Sequence, residues 1–122
     1  MTSDDSLDKL AAAHGVLTHY DNWAHQRVDV LTRTVVATLA ALDVDATSHT
    51  AIREALRDAY LAPWRRTISP TVVVRPGRPA FDVNARDRAP VRVRVELEDG
   101  GDRELAVGPA SATRDVDGTT IA

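Results

Sequence analysis

The chain has 122 residues, 43% hydrophobic and 27% charged, with a formal net charge of −3 and no cysteine. That composition fits one small domain or two packed units, and it excludes wholesale disorder, a disulfide scaffold, a thiolate metal site and cysteine catalysis. A near-neutral charge disfavours a broad phosphate-binding face, and no apolar run reaches the ~20 residues of a membrane helix.

In chain order, residues 1–10 carry Asp4, Asp5 and Asp8 where a secretion signal would be basic, so a cytoplasmic protein is expected. Ser3 is suited to cap a first helix, with Asp4 and Asp5 in the turn where the dipole favours acids. Leu7, Leu10, Ala11 and His14 follow a helical stripe, and Gly15 suits a left-handed stop. A second helix is expected from Thr32, with a Leu31–Val36 staple and Val35, Leu39 and Leu42 on its buried face. A third starts at Thr47 or Ser48 and buries Ile52, Ala55, Leu56 and Ala59. Pro63 is expected to end it, because the residue before a proline resists helical angles.

Beyond residue 65 the period changes from 3.6 to 2. Thr71-Val72-Val73-Val74 is a β-branched run between Pro70 and Pro76, and residues 91–98 alternate strictly between apolar and charged side chains. A three-residue Asp99-Gly100-Gly101 loop would set Val95 opposite Leu105 and Val93 opposite Val107, with glycine at its left-handed third position. That register brings Glu96 against Glu104, tolerable on a wet face. One apolar and one polar face imply a sheet packed on one side. About four strands fall after residue 66, against roughly seven in an immunoglobulin-like sandwich, and the end at Thr119-Thr120-Ile121-Ala122 reads as a cut inside a strand. No internal repeat or low-complexity tract occurs.

Groups able to do chemistry are few. Glu96 and Glu98 share a strand face about 7 Å apart, with Glu104 across the hairpin, a spacing within the glycosidase range. Acid–base pairs need environments that separate their pKa values, whereas these stand on an open strand beside Arg92, Arg94 and Arg103. A solvated charged face is therefore expected. His14, His19, His25 and His49 match no metal-ligand spacing, and no nucleophile elbow or phosphate-binding loop is present. The second and third helices have the arrangement of a helix-turn-helix DNA-binding regulator, with Arg53 and Arg57 on the recognition helix, but Glu54 and Asp58 would repel phosphate. Rings that can stack on a ligand are limited to Tyr20, Trp23, Tyr60, Trp64 and Phe81. Arginine supplies every basic residue except Lys9, as expected from codon bias in a GC-rich genome.

An ordered set of short segments carries a resemblance. They are Leu10-Ala11-Ala12-Ala13-His14-Gly15-Val16, Tyr20 and Trp23, Val28-Asp29-Val30, the run from Thr34 to Leu42, and Val44-Asp45-Ala46. Then come Ala62-Pro63-Trp64-Arg65-Arg66, Pro70 to Arg75, Pro90 to Val93 and Leu97-Glu98-Asp99-Gly100-Gly101. In this order they resemble the amino-terminal region of bacterial 4-alpha-glucanotransferases (amylomaltase, the MalQ type), particularly the actinobacterial form. The resemblance implies a helical segment and a β-sandwich ahead of a (β/α)8 barrel that carries the catalytic carboxylates. No residue here aligns with those carboxylates, and a barrel needs ~250 residues. His25 and Asp43 stand where the family usually has glycine.

The expected architecture is α+β: a helical subdomain of three helices over residues 1–65, then part of an antiparallel, immunoglobulin-like and incomplete β-sandwich over 66–122, with no catalytic barrel. The expected role is a non-catalytic accessory domain of an enzyme that transfers 1,4-alpha-glucan segments in maltodextrin and glycogen metabolism. No catalytic, cofactor or metal residue is assigned. Tyr20, Trp23, Trp64 and Arg65 are the candidate glucan contacts, with Trp64 also suited to plug a joint between helices and sheet. The expected partners are the parent barrel and a maltooligosaccharide, with neither nucleic acid nor membrane. The alternative is a free-standing interaction module that dimerises through an open sheet edge.

Overall fold

The computed structural model describes residues 3–77 and 79–122, with the side chains of Ser3 and Asp4 outside that description. The expected Ser3 cap and the Asp4 dipole contact therefore lie outside the described residues. The chain forms two compact units, residues 1–62 and 63–122.

The first unit is built on amphipathic helices. Helix α1 (Ser3–Ala13) buries Leu7, Leu10 and Ala11. It ends at Gly15, at φ +69°, where Val16 N–H donates to Ala11 O and Gly15 N–H to Ala12 O. This paired pattern closes the carbonyls that a helix end leaves open. Strands β1 (His19–Asp21) and β2 (Arg27–Asp29) then form an antiparallel hairpin, which the sequence periodicity was too short to signal. Helix α2 (Thr32–Ala41) starts where expected, but Leu31 is its cap, and no side chain bonds there. Val30 N–H still donates to Thr18 O, so the extended path continues through Leu31 and its carbonyl receives the Thr34 and Val35 N–H groups.

Val35 and Leu39 are buried on α2. Leu42 departs from expectation and is 51% exposed, because it lies past the last helical residue. The chain reverses at Asp43, at φ +61°, with Val44 N–H donating to Leu39 O and Asp43 N–H to Ala40 O. Both helix ends thus use one device, with glycine in one and aspartate in the other. Helix α3 (His49–Arg65) is capped by Ser48, whose hydroxyl accepts from Ala51 N–H at 3.1 Å. Ile52 joins Leu7, Leu10, Ala11, Val35, Leu39 and Ala46 in one core, with Ala55 and Leu56 packed against it. No single stripe is long enough to hold a helix alone, so the mutual burial of these stripes holds them.

Helix α3 does not stop at Pro63 but runs on to Arg65. The last turn leaves carbonyls with no helical N–H to receive. Asn84 supplies the donor: its side-chain amide donates to Pro63 O at 2.8 Å and Arg66 O at 3.0 Å, while its own N–H donates to Thr67 O. Arg65 adds a two-pronged bond to Asp117, Nε to Oδ2 at 2.9 Å and Nη2 to Oδ1 at 3.1 Å.

In the second unit, β3 (Val93–Glu96) pairs with β4 (Asp102–Leu105), and β5 (Arg114–Val116) pairs with β6 (Thr119–Ile121). The β5–β6 turn is Asp117-Gly118, both with positive φ, as a two-residue hairpin requires. On the other side of β6, Ala85 and Ala122 exchange both backbone hydrogen bonds, and Asp87 N–H donates to Thr120 O. The fold is mixed α+β, with the antiparallel strands in small sheets.

The β3–β4 loop has three residues, as expected, but is displaced by one. Glu98-Asp99-Gly100 forms it, with Gly100 at φ +84° in the left-handed third position. Val93 therefore faces Leu105 and Arg94 faces Glu104, so the anticipated Glu96–Glu104 repulsion does not arise. Instead Arg92 Nε and Nη2 donate to Glu104 at 3.0 and 2.9 Å, and Arg94 pairs with Asp102. Glu96 now faces Asp102, so one like-charge pairing replaces another on the wet face, offset by the Arg94–Glu104 pairing and the two arginine–carboxylate contacts. The apolar face survives because the displacement spans two residues of pairing. Thr71 to Val74 forms no strand, another departure from the expected sheet.

Two predictions follow from these contacts. Asn84→Ala leaves two carbonyls at the end of α3 without their donor and should destabilise the second unit by about 1–3 kcal/mol. Thermal unfolding followed by Trp64 emission in a Trp23→Phe background reads this, and an unchanged midpoint contradicts it. The Arg92 guanidinium holds the Glu104 carboxyl below the ordinary glutamate range. A depressed folded-state value stabilises the ribbon above the unfolded pKa, and that contribution disappears as pH falls through the folded one. In Arg92→Leu, NMR titration should find the Glu104 pKa raised, and an unmoved titration contradicts the pairing.

Candidate functional site

Tyr20 and Trp23 belong to the β1–β2 hairpin. Tyr20 sits in β1 opposite Val28 and is 49% exposed. Trp23 opens the three-residue loop Trp23-Ala24-His25 and is 92% exposed. The loop is tightly bonded. Asn22 N–H donates to Gln26 O at 3.0 Å and His25 N–H to Asn22 O at 2.9 Å. Asn22 Oδ1 accepts from Ala24 N–H and Gln26 N–H, and Asn22 Nδ2 donates to Gln26 Oε1.

This is the same turn as Glu98-Asp99-Gly100, with the left-handed third position taken by His25 at φ +57° instead of glycine. A non-glycine residue there carries strain, and strained residues cluster where a loop serves a ligand or partner. The side-chain bonds of Asn22 hold the loop in place against that strain. An indole in this setting is preorganised and almost fully in water.

Trp64 and Arg65 lie in the second unit and are engaged differently. Trp64 is half-buried beneath Arg114, whose guanidinium carbon lies 5.2 Å from the ring centroid, a cation–π arrangement. Arg65 is committed to Asp117 through its two-pronged bond. One indole presents its surface to solvent, whereas the other is covered on one face.

The carboxylates form no acid–base pair of contrasting environments. Glu96 and Glu98 are exposed, and Glu104 is held by Arg92 beside a shallow open groove lined by Arg92, Val93, Arg94 and Glu104. In the first unit, Asp45 is lowered from its ordinary value by the Thr47 hydroxyl and N–H, which donate to the same oxygen. That arrangement orders the entry to α3. His19, His25 and His49 are exposed, and His14 is half-buried. Among the described residues no three His, Asp or Glu side chains gather as a metal site, and no helix is long and apolar enough to cross a membrane. On α3, Arg53, Glu54, Arg57 and Asp58 are all exposed, so cations and anions alternate where a DNA-reading helix would present cations.

Sequence reasoning missed the residues that organise these side chains. Asn22 frames Trp23, and Asp117 and Asn84 fix the turn around Trp64 and Arg65. An asparagine before a short polar stretch is a turn signal, but bonds between residues 21 and 52 positions apart leave no local trace.

Comparison with known proteins agrees with the ordered segments. Residues 67–122 match the MalQ N-terminal beta sandwich domain. The chain is 37% identical over 119 residues to the 4-alpha-glucanotransferases of Mycobacterium bovis and Mycobacterium tuberculosis, an alignment spanning 95% of this chain and 16% of those proteins. A crystal structure of amylomaltase from Corynebacterium glutamicum superposes with a TM-score of 0.84 at 29% identity, covering 98% of this chain and 18% of that one. The chain thus spans less than a fifth of the length of the relatives it matches. Residues 67–122 thus match the MalQ N-terminal beta sandwich domain, and the chain as a whole is similar to part of the 4-alpha-glucanotransferases.

Proposed function

We propose that this chain is a non-catalytic accessory domain of a 4-alpha-glucanotransferase, whose partner is the catalytic (β/α)8 barrel of such an enzyme. One observation carries the non-catalytic part: no polar or charged residue is buried among the described residues. Covalent glucan transfer uses a carboxylate nucleophile and a carboxylic acid kept protonated by its surroundings. Solvated acids on an open ribbon share nearly one environment and cannot divide those roles.

A secondary contact with 1,4-alpha-glucan is the role that best uses the β1–β2 hairpin. A pyranose ring offers an apolar face to an indole and hydroxyls to neighbouring polar groups. Trp23 provides the exposed ring on a bonded loop, and Tyr20 stands on the adjoining strand. Trp64 and Arg65 form the weaker half of the proposed contact set, because Arg114 and Asp117 already engage them.

Maltoheptaose titration by calorimetry and amide NMR tests the contact. Binding of about millimolar strength is expected, as suits one exposed ring, with Trp23→Ala weakening it at least ~10-fold and Trp64→Phe changing it by less than ~3-fold. The absence of any perturbation at about 10 mM sugar would remove glucan binding from the proposal and leave the barrel-associated role.

A further inference from the structure

Among the described residues, two hairpins close through three-residue loops, and they meet one backbone requirement differently. In the β3–β4 loop, Leu97 N–H donates to Gly101 O and Gly100 N–H to Leu97 O, with Gly100 at φ +84°. In the β1–β2 loop, Asn22 N–H donates to Gln26 O and His25 N–H to Asn22 O, with His25 at φ +57°. Glycine takes the left-handed position without steric cost, so its loop can begin at a leucine, whose side chain has no hydrogen bond to offer. Histidine pays a steric cost there, and the loop that carries it begins at an asparagine.

The Asn22 carboxamide is spent inside this loop. Its Oδ1 accepts from Ala24 N–H at 2.9 Å and Gln26 N–H at 3.0 Å, which fills both lone pairs, and Nδ2 donates to Gln26 Oε1 at 3.3 Å. Residues 23–26 are exposed, so burial does not hold them. Trp23 lies between Asn22 and Ala24, and the bond joining those two residues fixes the backbone on both sides of it. Only the torsions of the Trp23 side chain itself stay free.

We propose that Asn22 is the positioning residue of Trp23: its carboxamide offsets the strain at His25 and presents the indole to glucan on an ordered backbone. The proposal rests on the reading of this hairpin as a glucan contact. An anchored loop has less freedom to lose when sugar stacks on it, so its order is expressed as affinity. Asn22 acts through the loop, because its acceptor oxygen is already occupied. The need for it is tied to His25. Relieving the strain with His25→Gly recreates the arrangement of the Leu97 loop, which works without a carboxamide at that position.

A double-mutant cycle of Asn22→Ala and His25→Gly tests this in the 122-residue chain carrying Trp64→Phe. Heteronuclear NOE values of the Trp23 indole and of the Ala24 and Gln26 amides read loop order without sugar, and calorimetric titration with maltoheptaose reads affinity. Asn22→Ala should loosen the loop and weaken binding at least ~5-fold, with far-UV circular dichroism unchanged. His25→Gly alone, and the two substitutions together, should both stay within ~2-fold of the parent. A loop that remains ordered in Asn22→Ala overturns the proposal. So does a loosened loop with unchanged affinity, or a double variant as weak as Asn22→Ala, which would assign Asn22 a direct hold on the sugar. In each of these cases the parent still binds. A parent that binds no sugar at about 10 mM overturns the glucan contact, and this proposal with it.

Discussion

Burial of apolar surface is unequally divided, and this inequality governs what the chain can do. Leu7, Leu10, Ala11, Val35, Leu39, Ala46 and Ile52 close a core in the first unit. In the second unit Val116 is the buried apolar residue among those described, and the valines of β3 are only half-buried. Directional bonds organise what apolar contact does not: Asn84 to two carbonyls, Arg65 to Asp117, and the exchange between Ala85 and Ala122. Such bonds fix geometry, but each contributes modestly once its exchange with water is counted. The second unit is therefore ordered by placement of partners more than by enclosed volume.

The same distribution bears on chemistry. A carboxyl group changes its acidity strongly when it is desolvated or crowded by charge. Here the acids remain in water, and where one is perturbed the cause is a neighbouring donor: Arg92 for Glu104, Thr47 for Asp45. Both shifts favour the ionised form, as expected of structural pairs. Neither supplies the protonated acid that glycosyl transfer needs. The accessory role we propose and the absence of a buried polar residue among those described thus have one physical origin.

Much of the fold was legible because its signals are local. The stripe of Leu7, Leu10 and Ala11, the Ser48 cap and the left-handed stop at Gly15 each depend on residues within one or two helical turns. His25 and Asp43 occupy left-handed positions and close both turns. The β3–β4 loop length was legible as well. Its placement was not, because both loops keep valines on one face and each sets one pair of carboxylates opposite, so local pattern does not separate them. Asp117-Gly118 is a strong hairpin signal in its own right, overshadowed by the longer alternation before it. The passage of α3 through Pro63 was illegible for a different reason: its support comes from Asn84 and Asp117, distant in sequence. Among the candidate contacts, ring type alone could not separate Trp23 from Trp64. That distinction required the exposure of one and the Arg114 cover of the other.

The account depends most on the claim that these residues hold no reaction centre. Incubating the purified 122-residue chain with maltotriose and resolving the sugars by chromatography tests it directly. The account predicts that maltotriose stays intact at enzyme-like protein concentrations over many hours. Appearance of glucose together with longer maltooligosaccharides, in proportion to the amount of chain added, would contradict it.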